Sequence, residues 1–428
     1  MKNSNNFLMM NLKTILRKTP LLLVLFSHFS VVSGQLQKSW QANSGIIEKL
    51  TNAGSGFNYY EEKVPEYTLP DIFTSEQGVK IVSDDLWNNV RRPEIIEQFR
   101  KNVFGRVPLT QYREEFKMVS LDTQALNGTA TQKEIEIKID ADGKSLSFHL
   151  FLFTPNDVKQ RVPVFLLIDP WFAENNTPKW KANDEYWPVK DAIKRGYGMA
   201  VFNAADIDPD YFDNFRNGIH AVLDKIPRPG DAWGTLAAWA WGASRCMDYL
   251  LADKNVAPDK VAVVGHSRAG KTALWAGAED IRFAMVVSNE SGAGGAALAR
   301  RRFGETVARL NSAFPHWYCS NYNKFSNNED ALPVDMHMLL ALVAPRALYV
   351  DCADEDLWGD PHGSYLSLYY SLPVFKLLGV KSDLPEAMPP LNKQVISGRV
   401  GFHIRDGAHN LLLRDWNHFM DFADKVLK

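Results

Sequence analysis

From residue 162 onward the chain is punctuated by short, nearly unbroken runs of apolar residues. Residues 162–168, 198–202, 260–264, 283–287, 347–350 and 400–404 are of this kind. A strand apolar on both faces must be covered on both, so these runs predict buried strands. Residues 233–251, 268–277 and 415–427, between or after them, are predicted helical. Such alternation predicts an α/β fold, a mostly parallel central sheet with helices on both faces. The upstream pattern differs. Residues 134–139 and 146–153 read as two strands joined by Asp140-Ala141-Asp142-Gly143, which predicts a hairpin. Within residues 84–107, Leu86, Val90, Ile95, Phe99 and Val103 recur near a helical turn, and Asp84 can cap that helix. Residues 36–77, with Pro65 and Pro70, lack periodicity and read as an irregular arm.

The N-terminal pattern is that of a targeting segment. Lys13, Arg17 and Lys18 precede the apolar residues 21–32, which end in the small residues Ser33-Gly34. This predicts a signal peptide over residues 1–34, and hence an exported protein, periplasmic or secreted. The apolar run is short for a membrane span and no cysteine follows it, so no anchor is expected after cleavage. Residues 35–105 are then an arm and helix packing on the core, and residues 106–428 one catalytic domain.

Composition narrows the classes further. A hydrophobic content of 46% in 428 residues supports a large core. A net charge of −2 carries no electrostatic footprint for nucleic acid. Cys246, Cys319 and Cys352 are an odd set without C-x-x-C spacing, which indicates neither a disulfide framework nor zinc. No H-E-x-x-H occurs, and neither metal nor cofactor is expected. Gly292-Ala293-Gly294-Gly295-Ala296-Ala297 fits a dinucleotide fingerprint in letters but comes late in the sheet pattern, out of that motif's context. Arg300-Arg301-Arg302 reads as a helix surface.

Chemistry concentrates in Gly265-His266-Ser267-Arg268-Ala269-Gly270-Lys271, between a predicted strand and a predicted helix. A serine on such a turn is the setting of a nucleophile elbow, with the N–H of the next residue, Arg268, facing a developing oxyanion. The usual second glycine position holds Ala269, and Gly270 comes one residue late. In this fold order an acid and then a histidine follow the serine. His409, in the loop after the last predicted strand, is the candidate base, while His403 and His418 fall within a strand and a helix. Two acid positions stay open: Glu290, and the cluster Asp354, Glu355 and Asp356 beyond the next strand. Lys271 lies one turn after Ser267, and Arg268 and Lys271 both oppose the helix dipole. Two such violations beside a nucleophile point to an electron-rich substrate.

Four blocks, in order, resemble a known family. The heptapeptide above resembles the G-[C/H]-S-R-x-G-K motif of glucuronoyl esterases, carbohydrate esterase family 15. Asn289-Glu290-Ser291-Gly292-Ala293-Gly294-Gly295 resembles its E-S-G-A-G-G. Leu332-Pro333-Val334-Asp335-Met336-His337 with Ala344-Pro345-Arg346 resembles its L-P-[VF]-D-x-H and A-P-R segment. Gly407-Ala408-His409 with Asp415-Trp416 resembles its ending. The resemblance runs from about residue 80 to the C terminus. It implies an α/β-hydrolase fold with Ser267 as nucleophile and His409 as base. It implies Glu290 at the acid position of fungal members and Asp356 at an alternative position of bacterial ones. Arg268 matches an arginine facing the oxyanion, and Lys271, Glu305 and Trp358 match positions holding the glucuronate ring. The implied substrates are esters joining the 4-O-methylglucuronate of xylan to lignin alcohols. A monomer is expected. The chemistry would be double displacement through an acyl-enzyme, with a further oxyanion N–H expected from the loop after Ile168.

Overall fold

The computed structural model describes residues 40–428, apart from Ser55 and residues 172–184. The expected signal peptide, and most of the loop after Ile168, lie outside the described residues. Ten described strands make one sheet. They are β1 (Arg113–Ala125), β2 (Ala130–Ala141), β3 (Lys144–Pro155), β4 (Val162–Asp169) and β5 (Gly198–Asn203), then β6 (Val256–His266), β7 (Met285–Asn289), β8 (Ala347–Ala353), β9 (Val395–Ser397) and β10 (Val400–Arg405). Their order across the sheet is β1-β2-β3-β5-β4-β6-β7-β8-β10-β9. The six strands from β5 to β10 pair in parallel, an antiparallel meander of β1–β3 joins one side, and β9 closes the other.

The apolar runs are continuous because each strand feeds two cores. On β4, Val164, Leu166 and Ile168 face one core while Phe165 and Leu167 face the other. Strands β6 and β8 divide in the same way, Val261 and Val263 against Ala262 and Val264, and Leu348 and Val350 against Ala347 and Tyr349. Residues of the helices Thr235–Ala252, Arg268–Glu279 and Pro361–Leu377 fill the first core, and those of Leu413–Val426 the second. Helices on both faces of a mostly parallel sheet make the expected α/β layering.

Several expectations are corrected. Strand β1 gave no apolar run to read, because it is an edge strand with most of its residues exposed. Strand β6 begins at Val256 rather than at residue 260, its polar Asp259 accommodated by a register irregularity opposite Val162 and Val164. The helix expected over residues 84–107 is capped by Ser83, whose Oγ accepts from Leu86 N at 3.2 Å, and it ends at Asn102. A π-turn at Trp87–Arg91 interrupts it, which shifts the buried face by a residue. The hairpin turn narrows to Asp142-Gly143, both at positive φ, the geometry of a type I′ turn. Arg300 and Arg301 are not a surface. Both are buried, Arg300 against Asp335 at 3.0 Å and Arg301 against Asp360 at 2.9 Å. The glycine-rich segment after Glu290 leads into a 3₁₀ turn, Ala299–Arg301, instead of a helix N-terminus. The three cysteines are free and buried.

The arm is irregular apart from the helix Ser44–Asn52 and the turn Glu61–Lys63. Its Trp40, Ile46, Ile47, Leu50 and Phe57 pack around Tyr59, Phe303 and Leu357. No described helix is long and apolar enough to cross a membrane.

Candidate active site

Four parallel strand ends bring the candidate residues together. His266, Asn289 and Asp351 lie side by side in register on β6, β7 and β8, and Asp351 pairs with His403 on β10. Ser267, Glu290, Asp356 and His409 therefore emerge from one edge of the sheet, the carboxyl ends where α/β folds place their chemistry.

Ser267 sits at φ +56° and ψ −123°, a sparsely populated conformation for a residue with a side chain. The turn is held by Ser267 N–H donating to Asn289 O at 2.9 Å and by Gly270 N–H donating back to Ser267 O at 2.9 Å. Gly265 is required here, since a Cβ would run into the Ala269 carbonyl of the crossing helix. Ala269 is buried without strain, and Gly270 packs where a Cβ would crowd Asn289 O. The displaced glycine thus serves the contact with β7.

His409 Nδ1 hydrogen-bonds Asp356 Oδ2 at 2.8 Å and lies 3.0 Å from Glu290 Oε2, an ion-pair contact. Both acid positions left open by the sequence are thereby occupied on one nitrogen, which leaves Nε2 for chemistry. Burial opposes a charge on His409, yet the hydrogen bonds to Asp356 and Glu290 raise its pKa to about 9. Glu290 is buried at a positive φ of 46°, and burial lifts its carboxyl to about 7 against the pull of His409 and Arg405. It also accepts from the Arg405 guanidinium and from Asn410 N–H at 2.9 Å. Asp354 braces the same loop, accepting Gly407 N–H at 2.9 Å, and Glu355 N–H donates to Gly407 O at 3.2 Å.

Below the histidine lies a buried polar network. His266 packs against His409 with the rings tilted and their centroids 4.5 Å apart, and its Nδ1 bonds Asn289, which in turn donates to Asp351. Burial and the facing His409 hold the His266 imidazole well below its ordinary pKa. Arg405 joins Glu290 to Asp415, which also bonds His403 Nε2 at 3.0 Å. Two groups, His266/Glu290/His409 and Asp351/His403/Asp415, bring potential metal ligands within reach of one another; His266 Nδ1, His409 Nδ1, His403 Nε2 and the Glu290 and Asp415 carboxylates are already engaged in the contacts above.

The cations behave differently from one another. Arg268 is partly exposed, pairs with Asp210, and lies over Trp317 with its guanidinium carbon 4.9 Å from the ring centroid. Asp210 also accepts from His316 Nε2 at 3.0 Å and Trp317 Nε1 at 2.8 Å. The Arg268 Nε is buried and has no partner among the described residues. Lys271, by contrast, folds inward. It is 4% exposed, donating to Ser291 O and Ala293 O at 2.6 Å each, with Glu305 at 3.7 Å. Burial raises the Glu305 carboxyl and lowers the Lys271 ammonium. Glu305 N–H donates to Trp358 O at 2.9 Å. Sequence reasoning missed Arg405, Asn289, Asp210, His316 and Trp317. Arg405, four residues before His409, and Asn289, directly before Glu290, carried a signal, while Asp210 sits in a loop with no motif of its own.

The fold and the serine elbow define an α/β-hydrolase. Residues 137–379 match the family model described as glucuronyl esterase, fungi. A prokaryotic carbohydrate esterase, MZ0003, is 42% identical over 404 residues, spanning 86% of this chain and 92% of that one. The solved structure of a promiscuous carbohydrate esterase family 15 (CE15) esterase from a marine bacterial metagenome gives a TM-score of 0.78 at 40% identity, covering 87% of this chain and 100% of that one. The glucuronoyl esterase from Solibacter usitatus gives 0.79 at 36% identity, covering 86% and 100%. The chain belongs to the glucuronoyl esterase family, carbohydrate esterase family 15, and is a carboxylic ester hydrolase.

Proposed function

We propose that this enzyme cleaves esters of (4-O-methyl-)glucuronate borne on xylan, including those to lignin alcohols, through Ser267 and an acyl-enzyme. The observation that carries the reading is the convergence of Asp356 and Glu290 on His409 Nδ1 beside the strained Ser267 turn. His409 Nε2 takes the Ser267 proton as Oγ attacks the C6 carbonyl, then returns it to the departing alcohol. Water resolves the glucuronoyl-enzyme by the same route. The Arg268 N–H and its unpartnered Nε supply oxyanion donors, with Asp210 and Trp317 aiming the guanidinium. Lys271 holds the Ser291–Ala293 backbone and, with Glu305 and Trp358, forms the wall for the uronate ring. Relatives bearing the name 4-O-methyl-glucuronoyl methylesterase support this substrate class. The reading includes export after removal of residues 1–34, a monomer, and a catalytic body over residues 106–428.

A second reading, a broader acyl esterase, is favoured by the metagenomic neighbour, which is described as promiscuous. Rates on a benzyl glucuronate ester and on p-nitrophenyl acetate separate the two. The first reading expects a strong preference for the uronate, lost in Ser267→Ala; comparable rates on both would select the second.

A further inference from the structure

We infer that the N-terminal arm is a working part of this active site, with Glu61 and Phe57 acting as positioning residues for the turn that carries Asp356 and Trp358. The inference rests on the reading of Asp356 as a partner of His409. That turn, Leu357–Gly359, is bounded by Asp356 and Asp360 and is anchored at its far end. Asp360 sits at φ +49° and caps the helix Pro361–Leu377, its Oδ1 accepting Gly363 N–H at 2.9 Å. A non-glycine residue keeps that conformation only when its surroundings over-determine it. Here the determinant is Arg301, 2% exposed, donating through Nε and Nη2 to Asp360 at 2.9 and 3.3 Å.

The second carboxylate on Arg301 comes from the arm. Glu61 Oε1 accepts Arg301 Nη2 at 2.6 Å, and its Oε2 lies 3.2 Å from His362 Nδ1. Burial opposes the Glu61 charge, but His362 and Arg301 hold the carboxyl below its ordinary range. Arg301 thus ties an arm residue 240 positions away to the end of the Asp356 turn. Phe57 braces the other side of that turn, its ring edge-on to Trp358 with centroids 4.7 Å apart. Gly304 N–H donates to Asn58 O at 2.8 Å, next to Glu305, so the arm also touches the third element of the proposed uronate wall. The arm thus reaches the turn directly through Phe57 and its Asp360 anchor through Glu61 and Arg301.

The test is a double-mutant cycle on the full enzyme with the benzyl glucuronate ester. Glu61→Ala is expected to lower kcat/KM about tenfold and to move the acid limb of the pH profile downward, because a loosened Asp356 no longer holds the proton on His409. Glu61→Gln, which keeps the acceptor for Arg301, is expected to restore most of the rate. In an Asp356→Asn background, Glu61→Ala should change neither quantity further. Equal losses in both backgrounds, or an unmoved acid limb in a folded Glu61→Ala enzyme, overturn the inference. An Asp356→Asn enzyme indistinguishable from wild type would instead sink the assignment of Asp356, and the inference with it. Should Glu61→Ala not fold, Phe57→Ala carries the test. A severalfold rise in KM with kcat and the acid limb unchanged supports the arm's role, and an unchanged KM refutes it.

Discussion

Two acids face one imidazole nitrogen, and Glu290, lifted to about 7, itself titrates around neutral pH. With His409 raised to about 9, its ring is protonated in the resting enzyme at neutral pH, and the base form grows as pH rises through that value. kcat/KM should therefore climb with pH well past the ordinary histidine range. Asp356→Asn removes one carboxylate and should shift that limb to lower pH, which a pH–rate profile on a glucuronate ester reads directly. Arg268 and Lys271 separate at the same scale. Arg268→Ala deletes the charged donor proposed for the oxyanion and should cost on the order of 10²-fold in kcat with little change in KM. Lys271→Met leaves Glu305 and two carbonyls buried without their cation, so it should cost about 3 kcal/mol of stability in urea unfolding at pH 7. Burial raises the Glu305 carboxyl, so that deficit should shrink as the pH is lowered and the carboxylate takes up a proton.

Elements decide where those side chains stand. The β6–helix elbow holds Ser267 in a strained turn because Gly265 and Gly270 let the helix Arg268–Glu279 cross the strand ends closely. Gly265→Ala places a methyl into the Ala269 carbonyl, and the expected outcome is loss of soluble, folded enzyme rather than a slow one. A folded Gly265→Ala protein with normal turnover would refute that packing account. The helix Leu413–Val426 does quieter work. Its Asp415 binds Arg405 and His403, so the Asp415-Trp416 pair that looked like a family ending is a brace beneath Glu290. The Asp335 block is likewise structural, capping the helix Met336–Ala341 and neutralising Arg300.

At the scale of the whole molecule, buried histidines set the acid limit of stability. Burial depresses both His403 and His337 to about 4. Unfolded, each would titrate near 6.5, so between about 6.5 and 4 the unfolded chain binds more protons than the folded one. Stability should rise with pH across that window and fall as pH drops through it, by up to about 1.4 kcal/mol per pH unit for each histidine. Thermal unfolding followed from pH 7 to pH 4 measures this. A Tm flat over that range would show that these rings take up protons without opening the core.

The sequence alone determined the sheet's central strands, the elbow and the family, because two-sided apolar runs and the heptapeptide around Ser267 are local patterns that burial and turn geometry enforce. It also placed His409 and both acids, but left them as alternatives. Only the tertiary structure decided that Glu290 and Asp356 share one nitrogen, since that depends on how β7, β8 and β10 lie in register. The same holds for Arg301, which reads as a surface charge in the sequence and is buried in the fold. Its partners Asp360 and Glu61 are 59 and 240 residues away, and no local pattern records a charge pair formed across such distances.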